Sequence, residues 1–263
     1  MSPRLEDRSP HVAAASAHGG DRSCAPTESE QRTARIMGAW FLATFVFSIP
    51  ALLFYDPVLN HASYVLGDGA DTRVALGAVF EILSATSGIA TAVVIFPILK
   101  RVNESIALGY VAARVLESTV VVMGVVSLMS VVALRQDLAG TDSANASLVT
   151  VGRSLVALHD QTFLLGPQFC AGLGNGILLG YLMWRSGLVP RPMALFGLIG
   201  GPLALVGGVG VLFGLWEDPS ATLLLFTAAE IVWELSLSIY LLVRGFRPSP
   251  ILTGQPVVPG RPA

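Results

Sequence analysis

Residues 105–134 read SIALGYVAARVLESTVVVMGVVSLMSVVAL, an apolar run that carries one arginine and one glutamate, Arg114 and Glu117. A helix needs about 20 apolar residues to cross the hydrocarbon core of a bilayer, and this run is longer. The run therefore predicts a membrane-spanning helix with two charged side chains where water is not freely available. Both charges require polar partners, because an unpaired charge in the apolar part of a membrane is costly.

The composition extends this interpretation to the whole chain. Of its 263 residues, 53% are hydrophobic and only 13% are charged, and the mean hydropathy is +0.67. Soluble domains carry about 25% charged residues, so these values are typical of an integral membrane protein. The chain has no basic face for nucleic acid, no metal-binding motif and no disulfide framework. We therefore expect the lipid bilayer as partner, with no nucleic acid, no metal ion and no cofactor.

Five further apolar runs accompany residues 105–134, at about residues 36–54, 74–99, 162–184, 193–215 and 221–243. They predict an all-α fold, a multi-pass membrane helix bundle with six transmembrane helices. Residues 143–158 have apolar residues at helical spacing and predict a short amphipathic helix along the membrane surface. We expect the transmembrane domain at residues 36–247, between disordered cytoplasmic tails at 1–35 and 248–263.

The distribution of lysine and arginine predicts the orientation of these spans. Six spans place both termini on one side, and basic residues collect in cytoplasmic loops. The side of the termini holds Arg32, Arg35, Lys100, Arg101, Arg185, Arg191, Arg244 and Arg247. The opposite loops hold only Arg73, Arg135 and Arg153. Both termini are therefore predicted to be cytoplasmic.

Three more glutamates interrupt the apolar runs, Glu81 in the second and Glu230 and Glu234 in the sixth. A charged residue at the membrane centre costs on the order of 3 kcal/mol, so these side chains should face the bundle interior. Counting residues from the ends of the runs puts Arg114 and Glu234 at similar depth, and we expect them to pair. Glu81, Arg114, Glu117, Glu230 and Glu234 form the candidate binding site. Its four carboxyl groups share one arginine, which leaves some of them for a proton, a cation or a ligand amine.

His159, Asp160 and Gln161 stand at the start of the fourth run and form a second candidate site at the outer surface. Asp160 is expected to cap the exposed amides of a helix start there, and the histidine is a candidate pH sensor. The sequence shows no set of several His and Asp ligands near the membrane. It also shows no Ser-His or Cys-His arrangement, so we assign no catalytic residue.

Several motifs, taken in order, are similar to those of a known family. They are FPILKR at 96–101, ALGYVAARVLE at 107–117, LHDQTF at 158–163, RSGLVPR at 185–191, GLIGGP at 197–202 and EL at 234–235. Over about residues 35–248 the chain resembles the bacterial integral-membrane family catalogued as domain of unknown function 4386. The resemblance implies a multi-pass protein of the bacterial cytoplasmic membrane and no particular reaction. Its motifs include Arg114, Glu117, His159, Asp160 and Glu234.

The buried charges have more than one functional interpretation. In the first interpretation, the protein binds or moves a proton, a cation or a small solute at the charged cluster. In the second, the same charges only hold together the helices of a structural or interaction protein. An intramembrane hydrolase is a weaker third interpretation, because the residues for it are not visible. Whether the chain forms a homo-oligomer or binds another membrane protein stays open.

Overall fold

The computed structural model describes residues 25–61, 63–67, 69–138 and 146–253. These ranges contain helices and no strand. The helices are α1 (Glu28–Asn60), α2 (Asp71–Leu99), α3 (Glu104–Leu138), α4 (Ala146–Phe163), α5 (Gly180–Ser186), α6 (Arg191–Leu212) and α7 (Ala221–Val243). Two π-helical segments, Leu164–Cys170 and Gly172–Leu179, join α4 to α5. Short 3-10 turns form at Tyr64–Leu66 and Pro250–Thr253.

Six of the helical units are long and apolar enough to cross a membrane. Five of them are the single helices α1, α2, α3, α6 and α7. The remaining one runs from α4 to the end of α5, and we call it the fourth span. Large apolar side chains such as Leu53 and Leu225 are exposed on the outside of the bundle, as lipid-facing residues are. The predicted all-α bundle of six apolar spans is confirmed.

The six spans form a closed ring. Each packs against its neighbour in the sequence, and α7 returns to pack against α1. At that closing contact a Cβ on Gly38 would lie 2.6 Å from the backbone nitrogen of Leu242, so glycine allows the two backbones to approach closely. The amide side chain of Gln31 donates to the carbonyl of Phe246 at 2.8 Å, and the Phe246 amide donates back to Gln31 at 2.9 Å. The start of α1 and the end of α7 therefore lie side by side.

The first helix begins earlier than predicted. The side chain of Thr27 accepts a hydrogen bond from the Glu30 amide, and the Glu30 side chain accepts one from the Thr27 amide. This capping box starts the helix at Glu28, so residues 28–35 belong to α1 and not to a tail. Residues 1–24, the rest of that predicted tail, lie outside the described residues.

The chain after α7 also differs from the prediction. Ser249 donates to the carbonyl of Ser186 at 2.5 Å, and Ile251 is buried against the bundle. This part of the predicted C-terminal tail, residues 248–253, is therefore packed on the bundle. Residues 254–263 lie outside the described residues.

The predicted surface helix at residues 143–158 is wrong where the structure describes it, from residue 146 onward. Those residues are in α4, which is the first part of the fourth span and continues without a break into its π-helical segments. The apolar face of α4 packs on α3, where Ser127 donates to the carbonyl of Leu155 at 2.6 Å. An amphipathic pattern is the same whether the apolar face covers lipid or a neighbouring helix, so the pattern alone does not distinguish them.

Two apolar cores lie at opposite ends of the ring. The core near the termini includes Met37, Phe41, Leu99, Tyr110 and Trp233, and the core at the other end includes Tyr55, Val58, Val74, Ala78 and Leu128. An ion pair closes each end, Glu30 with Arg101 at 2.9 Å and Asp71 with Arg135. The five charged residues inside the apolar runs lie between the two cores.

Candidate functional site

A cavity of about 280 Å³ lies in the ring between the two apolar cores. We call it the central cavity. Side chains from α1, α2, α3, the fourth span and α7 line it, among them all five members of the predicted cluster: Glu81, Arg114, Glu117, Glu230 and Glu234. Neutral polar residues also line the wall: Thr44, Ser48, Ser84, Ser118, Gln168 and Thr227. The ring of helices thus brings charges from three separate runs to one space.

Arg114 is held by contacts to three helices. Its Nε donates to the carbonyl of Gly88 on α2 at 3.2 Å, and its Nη1 donates to Glu117 Oε2 at 2.6 Å. The guanidinium carbon lies 5.8 Å from the centre of the Phe41 ring on α1, within cation–π range. A Cβ on Gly88 would lie 2.7 Å from Arg114 Nη2, so this glycine leaves room for the guanidinium. Arg114 and Glu117, three residues apart on α3, form a buried ion pair.

The predicted pair between Arg114 and Glu234 does not form. Glu234 accepts a hydrogen bond from Asn175 Nδ2 at 2.5 Å, and Trp233 Nε1 donates to the backbone carbonyl of Asn175 at 2.9 Å. The physical reason is the order of the ring, which puts α3 and α7 on opposite sides of the cavity. The fourth span, with Asn175 in its second π-helical segment, supplies the partner of Glu234.

Glu81 and Glu230 are buried in a different way. Their exposed fractions are only 2% and 4%, and neither carboxyl group has a hydrogen-bond partner in the part of the chain that the structure describes. Glycines pack closely around Glu230: a Cβ on Gly176 would lie 2.6 Å from its Oε2, and one on Gly200 would lie 2.6 Å from its backbone nitrogen. Burying a polar group without a partner costs about 1–3 kcal/mol, and more for a charged one. The carboxyl group of Glu230, which has no ion-pair partner among the described residues either, therefore reduces stability as the protein stands.

The prediction for residues 159–161 is wrong about the helix start. His159, Asp160 and Gln161 lie inside α4, because no residue between Leu158 and Thr162 breaks the helix. Asp160 and Gln161 are exposed, but His159 is only 1% exposed and points into the bundle. His159 Nε2 lies 3.8 Å from Glu81 Oε1, and its Nδ1 lies 3.6 Å from Asp160 Oδ1. The histidine thus connects the two predicted sites.

Three polar residues of this region were not predicted as site residues. Gln168 donates to the carbonyl of Ala204 at 2.7 Å and accepts from Thr227 at 3.2 Å, which links the fourth span to α6 and α7. Asn175 holds Glu234, and Tyr55 packs edge-on against His159 with 5.6 Å between ring centres. An amide inside an apolar run is a usable signal for Gln168 and Asn175. Tyr55 gives no such signal, since tyrosine is common near the ends of membrane helices.

Six apolar spans, five of which line a polar cavity, define a multi-pass integral membrane protein. Residues 36–245 match the family described as domain of unknown function (DUF4386). The chain belongs to this family, as its motifs indicated. No curated protein and no solved structure matches the chain.

Proposed function

We propose that this membrane protein binds a small organic cation in the central cavity as a step in moving it across the bilayer. The observation that carries the proposal is the carboxyl group of Glu230. It borders the cavity, it is almost completely buried, and it has no hydrogen-bond partner among the described residues. A cationic group in the cavity would supply the partner that the chain itself does not.

The balance of charge in the cavity supports a cation over an anion. Four carboxyl groups border the cavity, with Arg114 as the one basic side chain in its wall. Arg114 is already paired with Glu117. Polar residues within membrane spans commonly mark a binding site or a pathway, and here the excess is acidic.

The rest of the wall favours an organic cation. Phe45 and Phe163 border the cavity together with aliphatic side chains, and aromatic rings attract ammonium groups. A hard metal ion needs several oxygen ligands at short range. No group of three or more His, Cys, Asp or Glu side chains within the described ranges is arranged to hold one. A quaternary or primary ammonium with a few carbon atoms suits such a wall.

The alternative interpretation, in which the buried charges only hold the helices together, accounts for Arg114, Glu117 and Glu234. Arg114 and Glu117 tie α1, α2 and α3 together, and Asn175 ties Glu234 to the fourth span. Those contacts stabilise the ring whether or not a ligand binds. Helix contacts do not account for Glu230, which makes no hydrogen bond to another helix of the described chain. The two roles therefore fall on different residues.

The test is binding of tetramethylammonium to the full chain in lipid nanodiscs, measured by isothermal titration calorimetry. We expect the parent to bind and Glu230→Gln to bind more weakly. Tetramethylammonium has no N–H group, so it pairs with the carboxylate through charge alone. Losing about 1.4 kcal/mol or more of this attraction should raise the dissociation constant at least about 10-fold. The matched control is Glu217→Gln, which removes an exposed glutamate from the loop before α7.

Two results would contradict the proposal. One is a parent protein that does not bind tetramethylammonium, and the other is a Glu230→Gln variant that binds it as tightly as the parent. In either case the structural interpretation would stand for the whole cluster. A loss of affinity in Glu217→Gln of the same size would show that the effect is general surface charge.

We also propose that the protein lies in the bacterial cytoplasmic membrane with both termini in the cytoplasm. The support is the concentration of arginine at the end of the ring where α1 starts and α7 ends, with fewer basic residues at the other end. A reporter that is active only in the cytoplasm, fused after residue 263, tests the orientation. An active reporter is expected, and activity only of a periplasmic reporter would reverse the topology.

A further inference from the structure

A second pocket lies at the end of the ring opposite the termini, and we call it the end pocket. Its volume is about 290 Å³, and His61, Tyr64, Arg153 and Asp160 line it together with apolar side chains. Asp160 is 62% exposed there. The central cavity begins on the other side of His159, at Glu81. One buried histidine therefore separates an open pocket from the central cavity.

The two ring nitrogens of His159 face two different carboxyl groups. Nδ1 lies 3.6 Å from Asp160 Oδ1 in the end pocket, and Nε2 lies 3.8 Å from Glu81 Oε1 at the central cavity. Neither nitrogen has a hydrogen-bond partner within the described residues, although both are buried. An imidazole can take up a proton at one nitrogen and release one from the other. Chains of Asp, Glu and His that do this occur in proton-coupled membrane proteins.

We propose that Asp160, His159 and Glu81 form a proton path from the end pocket to the central cavity. The inference rests on the proposed function, because it treats the central cavity as the binding site for the organic cation. It adds that a proton reaches this cavity and is moved in the same direction as the cation or in the opposite one. His159 is the residue through which every proton on this path passes.

The packing around His159 excludes larger species from the path. The rings of Tyr55 and Phe163 lie 5.6 Å and 5.0 Å from the imidazole, centre to centre. A Cβ on Gly124 of α3 would lie 3.1 Å from His159 Cδ2, so this side of the ring is also covered. A solute cannot pass between the two pockets here. Gaps of 3.6 and 3.8 Å are longer than a direct hydrogen bond, and a bridging water or a small rotation of the ring spans them.

The charges that face His159 are few. Glu81 comes from α2, Asp160 from α4 itself and the ring of Tyr55 from α1, whereas α3 presents Gly124 and adds no charge. Farther out, His61 and Arg153 line the end pocket. Asp218, in the loop before α7, is near enough to Asp160 for the two carboxylates to repel each other.

The transfer conserves protons and charge at each step. The imidazole starts neutral, with its hydrogen on Nε2. A proton leaves Asp160 Oδ1 and binds His159 Nδ1, which gives an imidazolium with hydrogen on both nitrogens. The Nε2 proton then moves to Glu81 Oε1, and the imidazole is neutral again with its hydrogen on Nδ1. Bridging water that accepts the Nδ1 hydrogen and returns a proton to Nε2 restores the starting tautomer.

The experiment measures proton entry into lipid vesicles that contain the full chain and a trapped pH-sensitive dye. A potassium diffusion potential drives protons inward, with and without tetramethylammonium inside the vesicles. The parent is expected to acidify the lumen in at least one of these conditions. His159→Gln should reduce that rate on the order of 100-fold, the usual scale for loss of a proton-transferring group. Asp160→Asn changes an exposed side chain, so the variant is expected to fold. It should reduce the rate of proton entry by a smaller factor than His159→Gln does.

The matched control is Glu217→Gln, which changes an exposed carboxyl group in the loop before α7 that lines neither the end pocket nor the central cavity. Its rate should equal that of the parent. A parent without proton entry in both conditions overturns the path, and so does a His159→Gln or Asp160→Asn variant as fast as the parent. Binding of tetramethylammonium by His159→Gln separates the two proposals. If neither the parent nor His159→Gln binds tetramethylammonium, but proton entry requires His159, then the proposed function fails and the proton path stands.

Discussion

Glu230 and Glu117 border the same cavity but should respond in opposite directions to the same substitution. Glu230→Met replaces a buried carboxyl group that has no hydrogen-bond partner within the described chain by an apolar side chain of similar length. Removing such a group should raise the free energy of unfolding by about 1–3 kcal/mol. For a chain of this size each kcal/mol raises the Tm by about 2–4 °C.

Glu117→Met should do the reverse. Glu117 is the ion-pair partner of Arg114 at 2.6 Å, and the arginine is buried. Without Glu117 the guanidinium is a buried cation whose remaining hydrogen bond goes to the Gly88 carbonyl. Leaving a buried charge unpaired in this way costs about 3–5 kcal/mol.

Thermal unfolding in lipid nanodiscs, followed by tryptophan fluorescence, measures both variants beside the parent. The expected order of Tm is Glu230→Met above the parent and the parent above Glu117→Met. A lower Tm for Glu230→Met would refute the reasoning, because it would mean that Glu230 has a stabilising partner within the chain. The case that Glu230 is kept for a ligand would then fail as well.

Three further predictions use the same unfolding assay. Gly176→Ala should destabilise the protein by about 1–3 kcal/mol, because the new Cβ would lie 2.8 Å from the backbone nitrogen of Gly201. Gly109→Ala, whose Cβ would meet no atom closer than 3.5 Å, should be neutral or stabilising, and equal losses in both variants would contradict this. Arg114→Leu should be the most damaging single change, and a variant that inserts and folds like the parent would show that this residue does not organise the bundle. Burial and the neighbouring Asp160 raise the pKa of Asp218, so the folded state binds this proton more tightly than the unfolded state does. The resulting stability is lost as the pH rises above about 4, and Asp218→Asn should flatten the curve of stability against pH; an unchanged curve would exclude this contribution.

The composition of the chain and the lengths of its apolar runs were sufficient to predict the class of protein and the number of membrane spans. The reason is that a bilayer imposes one requirement on every span, about 20 apolar residues in a helix, and this requirement can be read locally. The same rule predicted that Glu81, Arg114, Glu117, Glu230 and Glu234 face the interior. Charged side chains cannot face lipid cheaply, so the interior is the remaining direction in a bundle.

The partners of those charges depended on the tertiary structure. The sequence gives the depth of a residue along its own helix, and this depth puts Arg114 and Glu234 at the same level in the membrane. The order of the helices in the ring nevertheless places the two residues on opposite sides of the cavity. The partner of Glu234 is Asn175, from the fourth span. Depth is a property of one helix, whereas neighbourhood is a property of how six helices pack, and no local pattern encodes it.

The position of His159 shows the same limit. In the sequence His159 precedes an apolar run, which predicts a helix start there, yet α4 continues through it and buries it beside Glu81. The sequence by itself determined a membrane protein of six apolar helices, with Arg114 and Glu117 buried in the third, because the cost of exposing charge to lipid acts on each residue separately. Only the tertiary structure decided that Arg114 keeps Glu117 as its partner while Glu230 has no hydrogen-bond partner in the described chain. Hydrogen bonds act over about 3 Å, and such distances between helices are set by side-chain packing around the whole ring.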